Sequence, residues 1–262
     1  MMDFDSGNSE NIQVCLRLRP PNKQEIEIKD DVIWKVQQDC VSINEQSYEK
    51  ILYLKNGGAK TNFTFNHCFS GEHDNRDIYE AGIKNIVLAT LRGINGTIFT
   101  YGQTGSGKTF TLLGSEYLMD AASSEDLALH LRTDRNTGTM LSSMADLFDA
   151  IRNDKDKNYF VKCSYIEIYN DLVYDLLPRE QTFKETLSIA EDHNKEFLVR
   201  NVTEEVVTSV EEVISMLKLG ERNRHYAATK MNHHSSRSHT LFRLTIRGMP
   251  EQGSDEKNFL TE

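Results

Sequence analysis

The fold of this 262-residue chain is indicated by residues 102–109, Gly102-Gln103-Thr104-Gly105-Ser106-Gly107-Lys108-Thr109. It matches the pattern GxxxxGK[ST] of a phosphate-binding loop. The apolar residues 97–101 come directly before it and predict a short, fully buried strand, and the residues from Phe110 onward predict the start of a helix. Strand, loop and helix in this order are the setting that the motif requires, so the sequence predicts an α/β fold.

Each residue type in this loop suits the binding of a triphosphate. Glycines allow positive φ angles and let the backbone approach phosphates closely. Successive N–H groups can then point at anionic oxygens, aided by the positive end of the following helix. We expect Lys108 to reach the β- and γ-phosphates and the Thr109 hydroxyl to bind Mg²⁺. The alternative is a glycine-rich turn that carries a solvated lysine.

The composition is that of an ordinary soluble protein, with 38% hydrophobic and 27% charged residues. No run of about 18 apolar residues occurs, and the acidic start MMDFDSGNSE lacks the features of a signal peptide. We therefore expect a cytoplasmic protein with no membrane partner. The four cysteines are far apart and form no CxxC pair, which argues against a disulfide framework and a zinc site.

The net charge is −10, from 40 acidic and 30 basic residues. Proteins that bind nucleic acid usually have the opposite balance, so we expect no nucleic-acid partner.

Apolar periodicity predicts further elements around the loop. Alternating or β-branched residues predict strands at residues 12–18, 160–168 and 240–246, and a hairpin at 187–202. Helical spacing predicts helices at residues 77–91 and 140–151. A capping box of Ser209 and Glu212 predicts the start of another helix, and Gly220 is a candidate stop or break. Residues 115–138 lose periodicity and predict a polar surface insertion.

Four segments resemble kinesin motor domains, in the order that the family has them. The segment from Asn95 through Thr109, NGTIFTYGQTGSGKT, resembles the kinesin phosphate loop almost position for position. Leu16-Arg17-Leu18-Arg19-Pro20 resembles the RxRP strand end, and Ser164-Tyr165-Ile166-Glu167-Ile168-Tyr169-Asn170 resembles a central strand. The segment from Asn232 through His239, NHHSSRSH, matches NxxSSRSH, the kinesin switch I.

The resemblance implies an adenine pocket beside the phosphate loop. Arg17, Arg19 and Pro20 would line it, and Phe110 would stack on the base. From the residues alone, the alternatives are that Phe110 is a core aromatic on the helix and that the two arginines are solvated on one face of the first strand.

The resemblance also implies a sensor for the last phosphate in switch I. Ser235 and Ser236 would close on the γ-phosphate, with Asn232 nearby, and Ser236 would join Thr109 in binding Mg²⁺. Arg237 would normally pair with a glutamate of switch II.

The implied fold is a kinesin-type core with a central mixed sheet flanked by helices. On this interpretation residues 1–10 are a disordered N-terminus, 11–248 a partial motor domain and 249–262 a polar end. No DLAGSE-like switch II segment occurs, so we expect the C-terminal part of the motor domain and most of the microtubule-binding surface to be missing. Because interior strands would then be absent, we expect this fragment alone to be poorly soluble or partly unfolded.

The implied function is that of an ATP-binding motor domain, which couples ATP hydrolysis to movement along microtubules in the full-length form. Its cofactors would be ATP and Mg²⁺, its partner the tubulin of microtubules, and its location the cytoplasm and cytoskeleton. A non-catalytic module that holds nucleotide or tubulin is the main alternative. A P-loop kinase or GTPase would need motifs such as NKxD, which do not occur. Cargo, direction of movement and oligomeric state stay open.

Overall fold

The computed structural model describes residues 12–44, 47, 61–114, 131, 133–178, 186–193, 195, 197–229 and 238–250. Its strands in chain order are β1 (Cys15–Arg17), β2 (Trp34–Gln37), β3 (Cys40–Ile43), β4 (Asn62–Thr64), β5 (His67–Phe69), β6 (Lys157–Tyr169), β7 (Leu172–Asp175), β8 (Thr186–Glu191), β9 (Phe197–Arg200), β10 (Glu205–Val206) and β11 (Ser238–Pro250). Its helices are α1 (Lys23–Glu27), a segmented helix α2 over residues 75–92, α3 (Lys108–Leu113), α4 (Thr139–Asn153) and α5 (Val210–Thr229).

The largest sheet is built on β6. β11 pairs with it antiparallel along all 13 residues, from Ser238 opposite Tyr169 to Pro250 opposite Lys157. The other edge of β6 is shared by β7 and β10, and β8 and β9 continue the sheet beyond β7. The predicted strands at 160–168 and 240–246 and the predicted hairpin at 187–202 are therefore confirmed.

The remaining strands of the described residues form two smaller sheets. β1 pairs parallel with β5, and β2, β3 and β4 form an antiparallel sheet. Parallel and antiparallel pairing together with the helices confirm the α/β class. The predicted first strand, residues 12–18, is shorter in the structure: β1 covers Cys15–Arg17, the backbone hydrogen bonds to the neighbouring segment run from Val14 to Leu18, and Ile12 is exposed.

Helices α4 and α5 pack over the β6 sheet and form the main core with it. Their apolar faces bring Leu141, Phe148, Val213 and Leu217 against Tyr165 of β6 and its buried neighbours. Fully burying a leucine or phenylalanine contributes about 1.5–3 kcal/mol. The α4 prediction at residues 140–151 is confirmed.

Helix α2 confirms the prediction at residues 77–91 but is not uniform. It starts as α-helix (Asn75–Ile78), widens to a π-helix (Tyr79–Ile83), returns to α-helix (Lys84–Ala89) and ends in a 3₁₀ turn (Thr90–Arg92). Gly93 then closes it with a φ of 84°, a left-handed conformation that glycine adopts without steric cost.

Helix α5 corrects the prediction that Gly220 stops the helix, since α5 runs through it to Thr229. A β-carbon at Gly220 would stand 2.2 Å from Cδ1 of Tyr165, so glycine is required here for close packing of helix on sheet. The predicted capping box is half formed. Ser209 Oγ accepts from Glu212 N–H, whereas the Glu212 carboxylate accepts from Thr208.

The predicted buried strand at residues 97–101 is wrong. These residues form no strand, and Phe99 and Tyr101 are 78% and 95% exposed. The physical reason is pairing: a strand exists only beside another strand, and no strand of the described part of the chain lies next to this segment.

The predicted surface insertion at residues 115–138 is corrected at its C-terminal end. Leu131 belongs to the main core, and Thr137 is buried and bridges to Gly114. A β-carbon at Gly138 would stand 2.2 Å from the carbonyl carbon of Leu113, so the returning chain lies tightly against the end of α3. Residues 115–130 lie outside the described residues.

Helix α1 is held by a charged cap. Asn22 and Glu25 form a capping box, in which each side chain accepts from the other residue's backbone N–H. Arg19 donates two hydrogen bonds to the Glu25 carboxylate, at 2.6 and 2.8 Å. The hydrogen bonds from Arg19, and then from Asn22, lower the pKa of Glu25 from 4.5 to about 2.

Over the residues that the structure describes, none of the helices has both the length and the apolar character needed to cross a membrane.

Replacing Gly220 with alanine is expected to destabilise the fold by about 1–3 kcal/mol, because the new β-carbon would overlap the ring of Tyr165. The free energy of urea unfolding measures the effect. Ser215→Ala is the control, since Ser215 is exposed on the same helix and its loss should change stability by less than about 0.5 kcal/mol. Equal stability of Gly220→Ala and the parent chain would refute the packing argument.

Replacing Arg19 with glutamine is expected to raise the pKa of Glu25 from about 2 towards its ordinary value of 4.5. Because the folded-state pKa is depressed, the stabilisation from Glu25 is present above the unfolded pKa and is lost as the pH falls towards 2. Carbon-detected NMR titration of the carboxylate gives the pKa directly. Arg152→Gln, which removes an arginine paired with Asp149, should leave it unchanged. If the pKa of Glu25 is unaltered in Arg19→Gln, Arg19 is not the main cause of its depression.

Candidate functional site

The predicted phosphate loop lies between the exposed segment 97–101 and helix α3, which begins at Lys108. Gly105 and Gly107 have φ angles of 80° and 98°, in the left-handed region. Among the described residues, no atom lies within 4 Å of where a β-carbon of either glycine would stand. The loop is thus a run of glycine-dependent turns with open space beside them, as a loop that wraps an anion requires.

The lysine of the motif is folded over its own loop. Lys108 Nζ donates to the carbonyl oxygens of Gly102 and Gln103, at 2.8 and 2.9 Å. Gly102 is close to Ser106, and a β-carbon there would stand 2.5 Å from Ser106 Oγ. The ammonium group is therefore held across the loop, and Thr109, the next residue of α3, is exposed.

The start of α3 carries Phe110, which the sequence predicts on the adenine side. Its ring is 37% exposed and lies under Arg17 of β1, with the guanidinium carbon 5.1 Å from the ring centre. Arg17 Nη1 also donates to Thr111 Oγ1 at 2.7 Å. Burial lowers the pKa of Arg17, partly offset by Asp74. The structure thus brings Arg17 and Phe110 together as a cation–π pair directly after the phosphate loop.

The other two residues predicted for the adenine pocket, Arg19 and Pro20, make their contacts elsewhere. The Arg19 guanidinium is bound by Glu25 of α1 and by the Pro20 carbonyl oxygen. Pro20 is exposed, and Gly71 lies close to it, since a β-carbon there would stand 3.2 Å from Pro20 Cβ. Arg19 and Pro20 therefore extend the site along the turn after β1, and Arg19 is held by α1 and not by α3.

The predicted switch I residues Asn232, Ser235, Ser236 and Arg237 lie outside the described residues. The described elements on either side of this segment are linked to each other by a hydrogen bond. Arg224 of α5 donates to Ser238 Oγ, the first residue of β11, at 3.2 Å.

Arg224 belongs to a buried charged cluster that the sequence does not reveal. Its Nε lies 3.5 Å from Oε1 of Glu167, a fully buried carboxylate of β6, and its Nη1 lies 3.6 Å from Glu221. Tyr165 donates its hydroxyl hydrogen bond to Glu221. Burial, followed by the charge of Glu221, raises the pKa of Tyr165 well above its usual range. Helix α5 is thereby joined to β6 just before the switch I segment.

Asn75 is the second residue that sequence reasoning missed. It is fully buried at the start of α2 and bonds to Arg17 and to the backbone of Phe110 and Asn136. The local sequence gives no signal for this role, because an asparagine beside Asp74 and Asp77 is typical of a helix start. Asp74 is in fact the N-cap of α2, with Asp77 completing its capping box.

Comparison with known proteins places this geometry in a family. A family model described as the kinesin motor domain matches residues 17–261. Kinesin-related protein 4 of Dictyostelium discoideum is 35% identical over 95% of this chain and 12% of its own length. Human centromere-associated protein E is 35% identical over 90% of this chain and 8% of its own length.

The fold agrees with the same family. A solved structure of a fast kinesin, described with implications for ATPase mechanism and interactions with microtubules, matches with a TM-score of 0.73 and 32% identity. The match covers 90% of this chain and 59% of the other. The chain spans about a tenth of the length of the first two relatives. Its sequence and its fold together show that the chain belongs to the kinesin motor-domain family.

Proposed function

We propose that this chain is the nucleotide-binding part of a motor that hydrolyses ATP to move along microtubules. Kinesin motor domains are microtubule-stimulated, nucleotide-binding ATPases. For this chain, the observation that carries the proposal is the loop 102–109, in which two glycines have left-handed backbone angles and the Lys108 ammonium group is bonded to the loop's own carbonyls. The motor activity is that of the whole protein, of which this chain is one part.

The loop fits a triphosphate on chemical grounds. Lys108 is bonded to two neutral carbonyl oxygens, and an anionic phosphate oxygen is a stronger partner for an ammonium group than either of them. Glycine at positions 105 and 107 keeps side chains away from the backbone N–H groups that would contact the phosphates. The charge of Lys108 and the turns of the loop are thus both suited to binding the same anion.

ATP is the nucleotide that we propose, with its base on the side of Arg17 and Phe110. A flat cation and a partly exposed aromatic ring offer two surfaces on which a purine can stack. Arg19 and Pro20 would border the same side through the turn after β1. Arg17 and Phe110 contact each other directly after the loop, whereas the Arg19 guanidinium is bound to Glu25 of α1, so we assign Arg17 and Phe110 the larger share of the base contact.

The switch I residues complete the proposed site. Ser235 and Ser236 would bond to the γ-phosphate, with Asn232 beside them, and Arg237 would stabilise the closed segment. The exposed hydroxyl of Thr109, together with Ser236, would hold Mg²⁺. The ion would neutralise charge on the phosphate oxygens when bound.

Microtubules are the proposed partner and the cytoskeleton the proposed location, on the strength of family membership. The hairpin of β8 and β9 is a surface through which this chain could contribute, because Ile189 and Phe197 on it are 59% and 76% exposed. A non-catalytic module that binds nucleotide or tubulin without turnover is the second candidate. The exposed segment 97–101 favours considering it, since the residues that lead into the loop form no strand and pair with none of the described strands.

Lys108→Ala is expected to abolish ATP binding, because it removes the side-chain cation that is bonded to the loop carbonyls. Competition against a fluorescent ATP analogue measures the loss, which should be at least about a hundredfold, the equivalent of about 2.7 kcal/mol. Lys155→Ala, a lysine at the turn after α4, is the matched control and should bind as the parent chain does. Unchanged affinity in Lys108→Ala would refute the assignment of the loop.

The two candidate functions differ in turnover. In the full-length polypeptide that carries this chain, we expect microtubules to raise the steady-state rate of ATP hydrolysis at least about tenfold, a barrier change of about 1.4 kcal/mol. Phosphate release measured with and without polymerised tubulin tests this. ATP binding without stimulated turnover would exclude the motor and support the non-catalytic module.

A further inference from the structure

The carboxamide of Asn75 makes three hydrogen bonds inside the protein. Its Oδ1 accepts from Arg17 Nη1 at 2.7 Å, and its Nδ2 donates to the carbonyl oxygens of Phe110 and Asn136, at 2.9 and 3.0 Å. The residue is 0% exposed. An asparagine side chain offers two N–H donors and an acceptor oxygen, so both donors and the oxygen are engaged at once.

The three partners of Asn75 come from three different parts of the fold. Arg17 belongs to β1, Phe110 to helix α3 directly after the phosphate loop, and Asn136 to the chain that returns beside Gly114. Asn75 itself starts α2, whose first turn is fixed by the pairs of Arg135 with Asp74 and Asp77. The amide is therefore a rigid link between β1 and the helix of the loop.

This link determines where the Arg17 guanidinium lies. One nitrogen, Nη1, is shared between Asn75 Oδ1 and Thr111 Oγ1, both at 2.7 Å. The two bonds orient the plane of the guanidinium and hold it 5.1 Å from the centre of the Phe110 ring. Asn75 also binds the backbone carbonyl oxygen of Phe110, so it is linked to both members of the cation–π pair.

We propose that Asn75 is a positioning residue for the base side of the nucleotide site, acting through Arg17 and Phe110. This inference rests on the proposed function, since it needs the loop to hold a nucleotide. It assigns a purine-specific effect to a residue that does not touch the ligand. The phosphates, bound by the loop backbone and Lys108, are independent of it.

The chemistry of the amide explains why other side chains would not serve. Aspartate could accept from Arg17 but has no hydrogen to donate, and its charge would face two carbonyl oxygens. Alanine would leave the two carbonyls and a half-buried guanidinium without this partner, which is costly for groups removed from water. Alanine frees Arg17 from this bond, and aspartate loses the bond to the Phe110 carbonyl, so either change weakens the link between Arg17 and Phe110.

The test compares two ligands that differ only in the base and sugar. Asn75→Ala is titrated with ATP and with inorganic tripolyphosphate, each with Mg²⁺, in competition against a fluorescent ATP analogue. We expect ATP affinity to fall about tenfold and tripolyphosphate affinity to change by less than about twofold. Arg17→Ala should give the same selective loss, and the double variant should lose no more than either single variant because both act on one contact.

Tyr79→Phe is the matched control, because it removes another buried polar group from helix α2. Its hydroxyl donates to Asp146 at 2.9 Å and is remote from Arg17 in the bonding network, so its loss should leave both affinities unchanged. If Asn75→Ala does not fold, Asn75→Ser, which fills more of the space and keeps a polar group, carries the same comparison.

The outcomes separate this inference from the function on which it rests. A parent chain that binds neither ligand contradicts the proposed nucleotide site. A parent chain that binds both, with Asn75 variants that weaken both equally, makes Asn75 a structural residue and overturns the positioning role. Additive losses in the double variant with Arg17→Ala overturn it as well.

Discussion

The antiparallel pairing of β6 with β11 is the constraint on which the rest of the described fold depends. Both strands are 13 residues long and pair over their whole length, so β6 has hydrogen-bonded neighbours on both edges. Its buried side chains form the floor on which α4 and α5 pack. Both α5 and β11 border the predicted switch I, so their packing on β6 also fixes the described residues on either side of that segment.

The phosphate loop is positioned in a different way. The segment that enters it, 97–101, is unpaired within the described part of the chain, so sheet hydrogen bonds do not hold the loop there. Its geometry comes from its glycines, from the bonds of Lys108 across it and from α3, whose C-terminal end packs against Gly138 of the chain returning at Thr137. The loop is thus held mainly from its C-terminal side.

The sequence predicted best what is local. Helices α3 and α4 and strands β6 and β11 follow from patterns within a few residues, and the structure agrees with them. Prediction from the sequence failed where the structure of a segment depends on partners that are far away along the chain. Residues 97–101 have the composition of a buried strand, but strand formation needs a neighbour. Gly220 has the composition of a helix stop, but the ring of Tyr165 decides its role. Asn75 is invisible for the same reason, since its three partners are 35 to 61 residues away.

The junction between α5 and β11 has a consequence for how this chain can vary in length. Eight residues, 230–237, connect the end of the helix to the first paired residue of the strand. Because side chains alternate between the two faces of a strand, losing or gaining one residue there would turn Phe242, Leu244 and Ile246 away from the core if β11 slipped to absorb it. Insertions and deletions are therefore expected in the connection between α3 and α4 and not in this one.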